Sequence, residues 1–432
     1  MHRMSPAFTI LACVTVSSAC APRIADCVRV VSWASYLEVA IDQEIVDSFE
    51  ARHPDTPVCY ESLEGSGIYR EKILTSIAAG TPPGVFLLDG IDLPAFVNRG
   101  VVLDLAPYLG RVGLARENFH PKMLELFGPG DRLWAFPKDF TPMVIYYNPR
   151  LFAATGVPPP PDSTWTWDEF LDRAKRLTRD LDGDGAPDQW GFGWPREFFY
   201  LQSWIWTGGG DLLAPDGRRA TGYLDAPATV DAVRFYLDLT RRHGIAPRLE
   251  MFRRGLGNVT RLFASGRVAM LQSGHWSTPT LLAHEGAGRL TFRVAPLPRR
   301  RGVEPVTPVY ASGWAVPVNA SHRRWAIQVA AFLSGETAQR IRARSGLAVP
   351  GMPAVAMVEM NRDTTGREAV FLAELEHGRH PWGTRVESWR EIEDMLLDLL
   401  DRPLVRNEPV EQVAKDVAGR IDVLLARERR RP

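Results

Sequence analysis

Apolar residues in the first third of the chain follow two alternating rhythms. Short β-branched or aromatic runs occur at Val28 to Trp33, Val58 to Leu63 and Val85 to Leu88, each bounded by polar or glycine-rich segments. Between them, Ile41, Ile45 and Phe49 keep helical spacing, as do Tyr69, Ile73 and Ile77. Strand, helix, strand, helix, strand predicts an α/β fold with a parallel sheet and helices on both faces. Open sheets of this kind bind ligands beyond the carboxyl ends of their strands. Those ends place Trp33, Ser35 and Tyr36, then Glu64-Gly65-Ser66-Gly67, then Asp89 at a candidate rim.

Further along, Pro158 to Pro161 reads as a stiff surface connector. Thr166-Trp167-Asp168-Glu169 then reads as a capping box, with Trp165 and Phe170 placed as its hydrophobic staple and Ala174 and Leu177 continuing the helix. Helical spacing returns at Val230, Val233 and Leu237, ended by Gly244, and at Trp325, Val329 and Phe332. The last portion reads as helices marked by Ile392, Met395, Leu396 and Leu399 and by Val413, Val417, Ile421 and Leu424. No short fixed repeat is present, which argues against a solenoid or propeller.

Length changes the picture from one domain to two, since 432 residues exceed what one ordinary core organises. The 51 basic and 51 acidic residues balance, so the chain lacks the net positive field that nucleic-acid binders use. The one dense basic run, Arg427 to Arg431, reads as a solvated tail. At the start, Arg3 precedes an apolar stretch from Ala7 to Val16, the length of a signal-peptide core and too short to span a bilayer. Ser17, Ser18 and Ala19 then lead to Cys20: a cut before Cys20 resembles a bacterial lipoprotein signal and would lipidate its thiol, although Ser17 stands where leucine or valine is usual, while the A-x-A form of Ala19-Cys20-Ala21 leaves plain secretion as the alternative, with Pro22 against it. With Cys13 removed and Cys20 lipidated, Cys27 and Cys59 remain in an oxidising compartment on consecutive strands, and a disulfide between them is expected.

Asp180, Asp182, Asp184 and Asp188 open like a calcium loop, with oxygens at alternate positions. The twelfth position is Gly191, so the bidentate glutamate of such loops is missing. A tight Asx/Gly turn is therefore the primary expectation and a structural calcium ion the secondary one. There is no P-loop, no G-x-G-x-x-G opening a helix, no G-x-S-x-G elbow and no H-E-x-x-H, and no cofactor is expected. The positive signal is aromatic: of 13 tryptophans, several sit beside Gly, Ser or Asp. Trp204-Ile205-Trp206-Thr207-Gly208, Gly274-His275-Trp276 and Ser312-Gly313-Trp314 are the clearest cases. Flat rings stack on the apolar faces of sugars while nearby polar groups meet the hydroxyls.

Five segments taken in order resemble the family 1 extracellular solute-binding proteins of ABC importers. They are Leu133-Trp134-Ala135-Phe136-Pro137 running into Ile145-Tyr146-Tyr147-Asn148, Thr166 to Phe170, Asp182-Gly183-Asp184-Gly185 to Trp190-Gly191, Gly266 to Met270 with Trp276, and Ser312-Gly313-Trp314-Ala315-Val316. The resemblance implies a two-lobed, type II-like binding-protein fold whose discontinuous lobes are joined by three crossings. It implies an N-lobe of 28–139 plus 275–312, a C-lobe of 141–272 plus 315–426, and a tail at 427–432. The crossings would lie near Asp139 to Thr141, Leu271 to Gly274 and Ser312 to Ala315. By the same resemblance Asp139 and Phe140 lie in the cleft, Glu64 and Asp89 on the first lobe's rim, and Trp206 opposite them, with Trp276 and Ser312-Gly313-Trp314 also facing the ligand.

What the resemblance implies for function is a monomeric, non-enzymatic subunit that captures a di- or oligosaccharide by lobe closure. It would deliver the sugar to two membrane permease subunits served by a separate cytoplasmic ATPase, and would touch the membrane only through lipidated Cys20. A secreted glycoside hydrolase is the alternative from another class, because Glu64, Asp89 and Asp139 could supply its two carboxylates. A sugar sensor would share the fold. Within capture, a phosphorylated ligand would bring Arg or Lys into the cleft, and a polyamine would bring acidic groups with aromatic walls.

Overall fold

The computed structural model of the protein describes residues 27–63, 66–248, 251–252 and 258–429. Cys20, the leader and Glu64 lie outside the described residues. Among the described residues, no helix is long and apolar enough to cross a membrane.

The predicted opening alternation is present. β1 (Val28–Trp33), α1 (Tyr36–Glu50), β2 (Val58–Leu63), α2 (Ser66–Ala78) and β3 (Val85–Asp89) follow one another, and β1 pairs in parallel with both β2 and β3. Ser35 and Glu38 form a reciprocal capping box that starts α1 at the mouth of the sheet, while Ile45, Val46 and Phe49 bury its inner face. The Cys27–Cys59 disulfide ties the neighbouring strands β1 and β2 with Cα atoms 5.7 Å apart, as expected from the cysteine count.

The next two strands part between two sheets. β4 (Phe136–Pro142) enters it, and β5 (Val144–Tyr147) already belongs to a second sheet, so the chain crosses between lobes at Met143. α3 (Trp167–Leu177) starts at the predicted capping box, and Trp165 and Phe170 meet as its staple with centroids 5.7 Å apart. β6 (Trp190–Gly193), α4 (Phe198–Thr207), α5 (Pro227–Arg241) and β7 (Val268–Ser273) follow, then α6 (Thr278–Gly286) and β8 (Arg293–Ala295). The second sheet runs β6-β7-β5-β8. Its central strand β5 alternates, with Val144 and Tyr146 in one apolar cluster and Ile145 and Tyr147 in another, so both faces are covered.

β9 (Thr307–Ala315) returns to the first sheet, antiparallel to both β3 and β4. α7 (Arg323–Ser334) and α8 (Glu336–Arg344) pack on that first lobe, and β10 (Val349–Pro350) pairs with β4. α9 (Arg367–Glu376) lies across the junction, against β8 on one side and β4 and β9 on the other. β11 (Gly378–Arg379) pairs with the start of β9, and α10 (Trp389–Leu396), α11 (Asp398–Arg406) and α12 (Val410–Glu428) close over the second lobe.

Three crossings are present, but two of them and the lobe limits differ from the expected positions. Segment 271–274 is no crossing, because the chain leaves β7 and returns to the same sheet as β8. The second crossing spans 296–306, ahead of β9, and not Ser312 to Ala315, which sit inside the first sheet. The third follows β11. Hence β8, expected in the N-lobe, is second-lobe, while α7, α8 and β10, expected in the C-lobe, are first-lobe. The physical reason is hydrogen bonding between distant strands: Met143, Thr307 and Gly378 are joined, with Thr307 Oγ1 receiving Met143 N–H at 3.1 Å and donating to Met143 O at 2.7 Å.

Candidate functional site

A cleft of about 530 Å³ opens between the lobes at the carboxyl ends of β1 and β3. Trp33, Asp89, Lys138, Asp139 and Ser312 line its first-lobe side. Glu197, Phe199, Trp276, Arg390 and Glu393 line the opposite side, and Tyr310 lies between them near the crossings. An adjoining chamber of about 590 Å³ shares Trp33, Ser35, Glu38 and Trp276 with it and adds Asn258, Arg261 and His284, so the space is elongated.

A backbone irregularity builds one corner. The β4–β9 register shifts between Pro137 and Asp139, leaving Lys138 as an extra residue. Successive strand residues ordinarily face opposite ways, and such a bulge re-aims one of them. Lys138 and Asp139 consequently both face the cleft, joined by a 2.5 Å ion pair, and Ser312 donates to the other Asp139 oxygen at 2.7 Å.

The other corner is ionic and more open. Arg390 from α10 reaches across to the first lobe and grips Asp92 with Nε and Nη2, both at 2.8 Å, while Nη1 meets Glu393 at 3.0 Å. Asp89 accepts the Ile91 N–H at 3.2 Å, with Arg390 Nη2 at 3.8 Å. Burial pushes the Asp89 carboxyl up to about 7, against the pull of Arg390 and reinforced by Asp92. Burial likewise raises Glu197, with Glu393 adding to it, and raises Glu393 against Arg390.

Of the residues expected at the ligand, Trp33, Asp89, Asp139, Trp276 and Ser312 line this cleft. Gly274 makes the placement of Trp276 possible: a Cβ there would meet the Trp276 ring at 2.1 Å and Thr141 Cγ2 at 2.5 Å. Five others require correction. Phe140 follows Asp139 on the strand and so turns into the first-lobe core against His120, 5.1 Å away. Trp206 is buried in the second lobe, donates to Asp211 at 3.1 Å and carries Arg379 over its ring at 4.2 Å. Trp314 is fully enclosed. Gly313 serves packing, since a Cβ would come within 2.9 Å of Ala135 Cβ. Tyr36 is 89% exposed on α1 and is not part of the cleft lining.

Glu197, Phe199, Tyr310, Arg390 and Glu393 were not singled out by sequence. Arg390 and Glu393 stand three apart on an amphipathic helix, the spacing of an ordinary solvated ion pair. Only the run Phe198-Phe199-Tyr200 directly after Glu197 carried a signal, because it sets an acid beside rings.

The aspartate loop lies apart from the cleft. Ligand oxygens of Asp180, Asp182 and Asp188 lie within 4.8 Å of one another. Those carboxylates already accept backbone N–H groups: Asp180 from Gly183 and Gly185, Asp182 from Asp184, and Asp188 from Leu181. Asp184 accepts from Ala186, and Gly183 and Gly185 take φ of 81° and 89°, which favours glycine. The tight turn is thus built in full by the chain itself.

Comparisons with known proteins agree with the architecture. The structure superposes on the ABC substrate-binding protein Lmo0181 of Listeria monocytogenes, in complex with cycloalternan, with a TM-score of 0.82 at 20% identity, covering 92% of this chain and 98% of that one. This likeness concerns the fold. In sequence, the chain is 32% identical over 162 residues to an uncharacterized lipoprotein in the oleD 5' region of Streptomyces antibioticus, covering 36% of this chain and 33% of that one. It is 24% identical over 195 residues to the diacetylchitobiose binding protein DasA of Streptomyces coelicolor, covering 45% and 42%. The chain thus spans about a third to two fifths of the curated relatives it matches. The family described as bacterial extracellular solute-binding protein matches residues 33–340, most of the two-lobed structure, and this chain belongs to that family.

Proposed function

We propose that the protein is the exported, lipid-anchored capture subunit of an ABC importer, and that it closes on a short saccharide and hands it unchanged to a membrane permease. The observation that carries this reading is the pairing of Trp33 from the first lobe with Trp276 from the second, both lining the two adjoining chambers of the interlobe space. Rings on both lobes give a guest more contact when the lobes approach, and only such a difference in affinity can shift a closing equilibrium. Moving that equilibrium from 1:99 to 99:1 needs about 5.5 kcal/mol, which stacking and hydrogen bonds in a dried cleft can supply.

The elongated space suits two or more sugar rings. DasA is named for diacetylchitobiose and the Listeria structure holds cycloalternan, which supports a carbohydrate guest. The lipoprotein name of the Streptomyces antibioticus relative supports an anchor at Cys20. A thermal-shift screen of the purified protein against saccharides, polyols and peptides tests the reading. A saccharide should raise the melting temperature, because a ligand that binds only the folded form stabilises it. Silence from every saccharide alongside a clear shift with a peptide would sink it.

A further inference from the structure

The corner around Arg390 carries more negative charge than a neutral sugar requires. Asp89, Asp92, Glu197 and Glu393 face two guanidiniums, Arg390 and Arg70, and Asp92 engages both, with Arg70 Nε at 3.1 Å and Arg390 gripping it bidentately. Glu393 keeps one contact at 3.0 Å, Asp89 stands 3.8 Å away, and among the described residues no cation lies within ion-pair distance of Glu197. Four carboxyls share two guanidiniums, one of which, Arg70, also pairs with Glu71 at 2.6 Å, so acids outnumber cations at this corner. Desolvation in the cleft, and after it that crowding, displaces Asp89, Glu197 and Glu393 upward.

Aromatic rings stand beside these acids. Phe199 lies 5.6 Å from Tyr310 and 5.9 Å from Trp276, and Trp276 lies 6.4 Å from Tyr310. The Tyr310 hydroxyl donates to the Phe199 carbonyl at 3.3 Å, which ties two of the rings together. Glu393 and Asp89 are near enough to act on the Tyr310 hydroxyl, which burial already lifts well above its ordinary value. Ring faces are negative and attract a cation held within about 6 Å of their centroids. A bare metal ion fits poorly, since it needs several oxygen ligands converging at about 2.0–2.6 Å, and among the described residues the carboxyls of this corner do not bring three ligand atoms within 4.8 Å of one another. An ammonium group fits both halves of the corner: it brings three donors and no acceptor to the carboxylates and a compact charge to the rings.

We infer that the saccharide captured in this cleft carries a protonated amine, seated among Phe199, Tyr310 and Trp276 with Glu197 and Glu393 as its counterions. This deepens, and rests on, the saccharide reading of the same cleft. Calorimetric titration of the purified protein with matched pairs tests it: glucose against glucosamine, and cellobiose against the β-1,4 glucosamine dimer and that dimer's N,N'-diacetyl form, with spermidine as an amine lacking a sugar. The free amine should bind at least tenfold tighter than its neutral counterparts, and Glu197→Gln and Glu393→Gln should each shrink that ratio toward one, with folding verified by circular dichroism. Neutral sugars binding as tightly as the amines, or glutamine variants that keep the ratio, would overturn the inference and leave the saccharide reading standing. Spermidine binding with every sugar silent would overturn the saccharide reading and with it the amino-sugar inference, leaving a cation site for a guest that is no sugar. Silence across the whole panel would overturn both.

Discussion

The two corners of the cleft handle charge in opposite ways. At the Lys138–Asp139–Ser312 corner each charge has its partner within 2.7 Å, all on strands of one sheet. At the Asp89–Arg390–Glu393–Glu197 corner the groups come from both lobes, acids outnumber cations, and carboxyls hold their protons to higher pH. The first corner is a finished frame. The second leaves carboxyls only partly compensated.

The largest expected effect comes from breaking the finished corner. Asp139→Ala would leave Lys138 buried without a counterion, at a cost of about 3–5 kcal/mol in a urea unfolding curve. The double replacement Lys138→Met, Asp139→Leu should recover much of that loss, and if it does not, the pair is not the frame described here. Next in size, Trp276→Ala should weaken ligand binding by about 1–3 kcal/mol, an affinity loss of roughly 5- to 150-fold. Its melting temperature should change little, because the ring is half-buried. Smaller again, Gly274→Ala should push the Trp276 ring off its seat, costing about 1–2 kcal/mol in stability and part of the same affinity. A Gly274→Ala variant with wild-type affinity would show that the ring's position does not matter.

The smallest effect is a pH signature of the unfinished corner. Asp89 holds its proton up to about 7 in the folded chain, against about 4 when unfolded, so the folded state binds more protons between those values. Its contribution is therefore fully present below about pH 4 and is lost as pH rises toward 7. Asp89→Asn should flatten that slope and, after solvent screening, exceed the parent by about 1–2 kcal/mol at pH 8. Unfolding midpoints measured at pH 4, 6 and 8 decide it, and parallel curves for the two proteins would contradict the displaced carboxyl.

How much of the site was legible depends on the range of the forces involved. Trp33 and Asp89 could be placed at the cleft because each ends a strand, Trp276 because it sits near Gly274, and Asp139 and Ser312 because the family resemblance puts them there. Trp206 and Trp314 carry the same local signature of neighbouring glycines and are buried all the same. A glycine beside a tryptophan can signify an open loop or a tight packing contact, as Gly313 does against Ala135. Glu393 and Arg390 have the spacing of a solvated helix pair, and nothing near them in sequence reveals that Asp92 is their neighbour.

The chain's own sequence determined the opening strand and helix alternation, the capping box at Thr166, the Cys27–Cys59 pairing, the aspartate turn and the likeness to the solute-binding family. These rest on periodicity, capping and covalent arithmetic within a few tens of residues, or on ordered motifs. Tertiary structure alone decided which lobe owns β8, α7, α8 and β10, which tryptophans reach the cleft, and how its charges pair. Those outcomes hang on contacts such as Ser312 to Asp139, 173 residues apart, and Arg390 to Asp92, 298 apart. Strand partners and ion pairs at such separations are selected by burial and hydrogen bonding over the whole fold, and no local pattern encodes them.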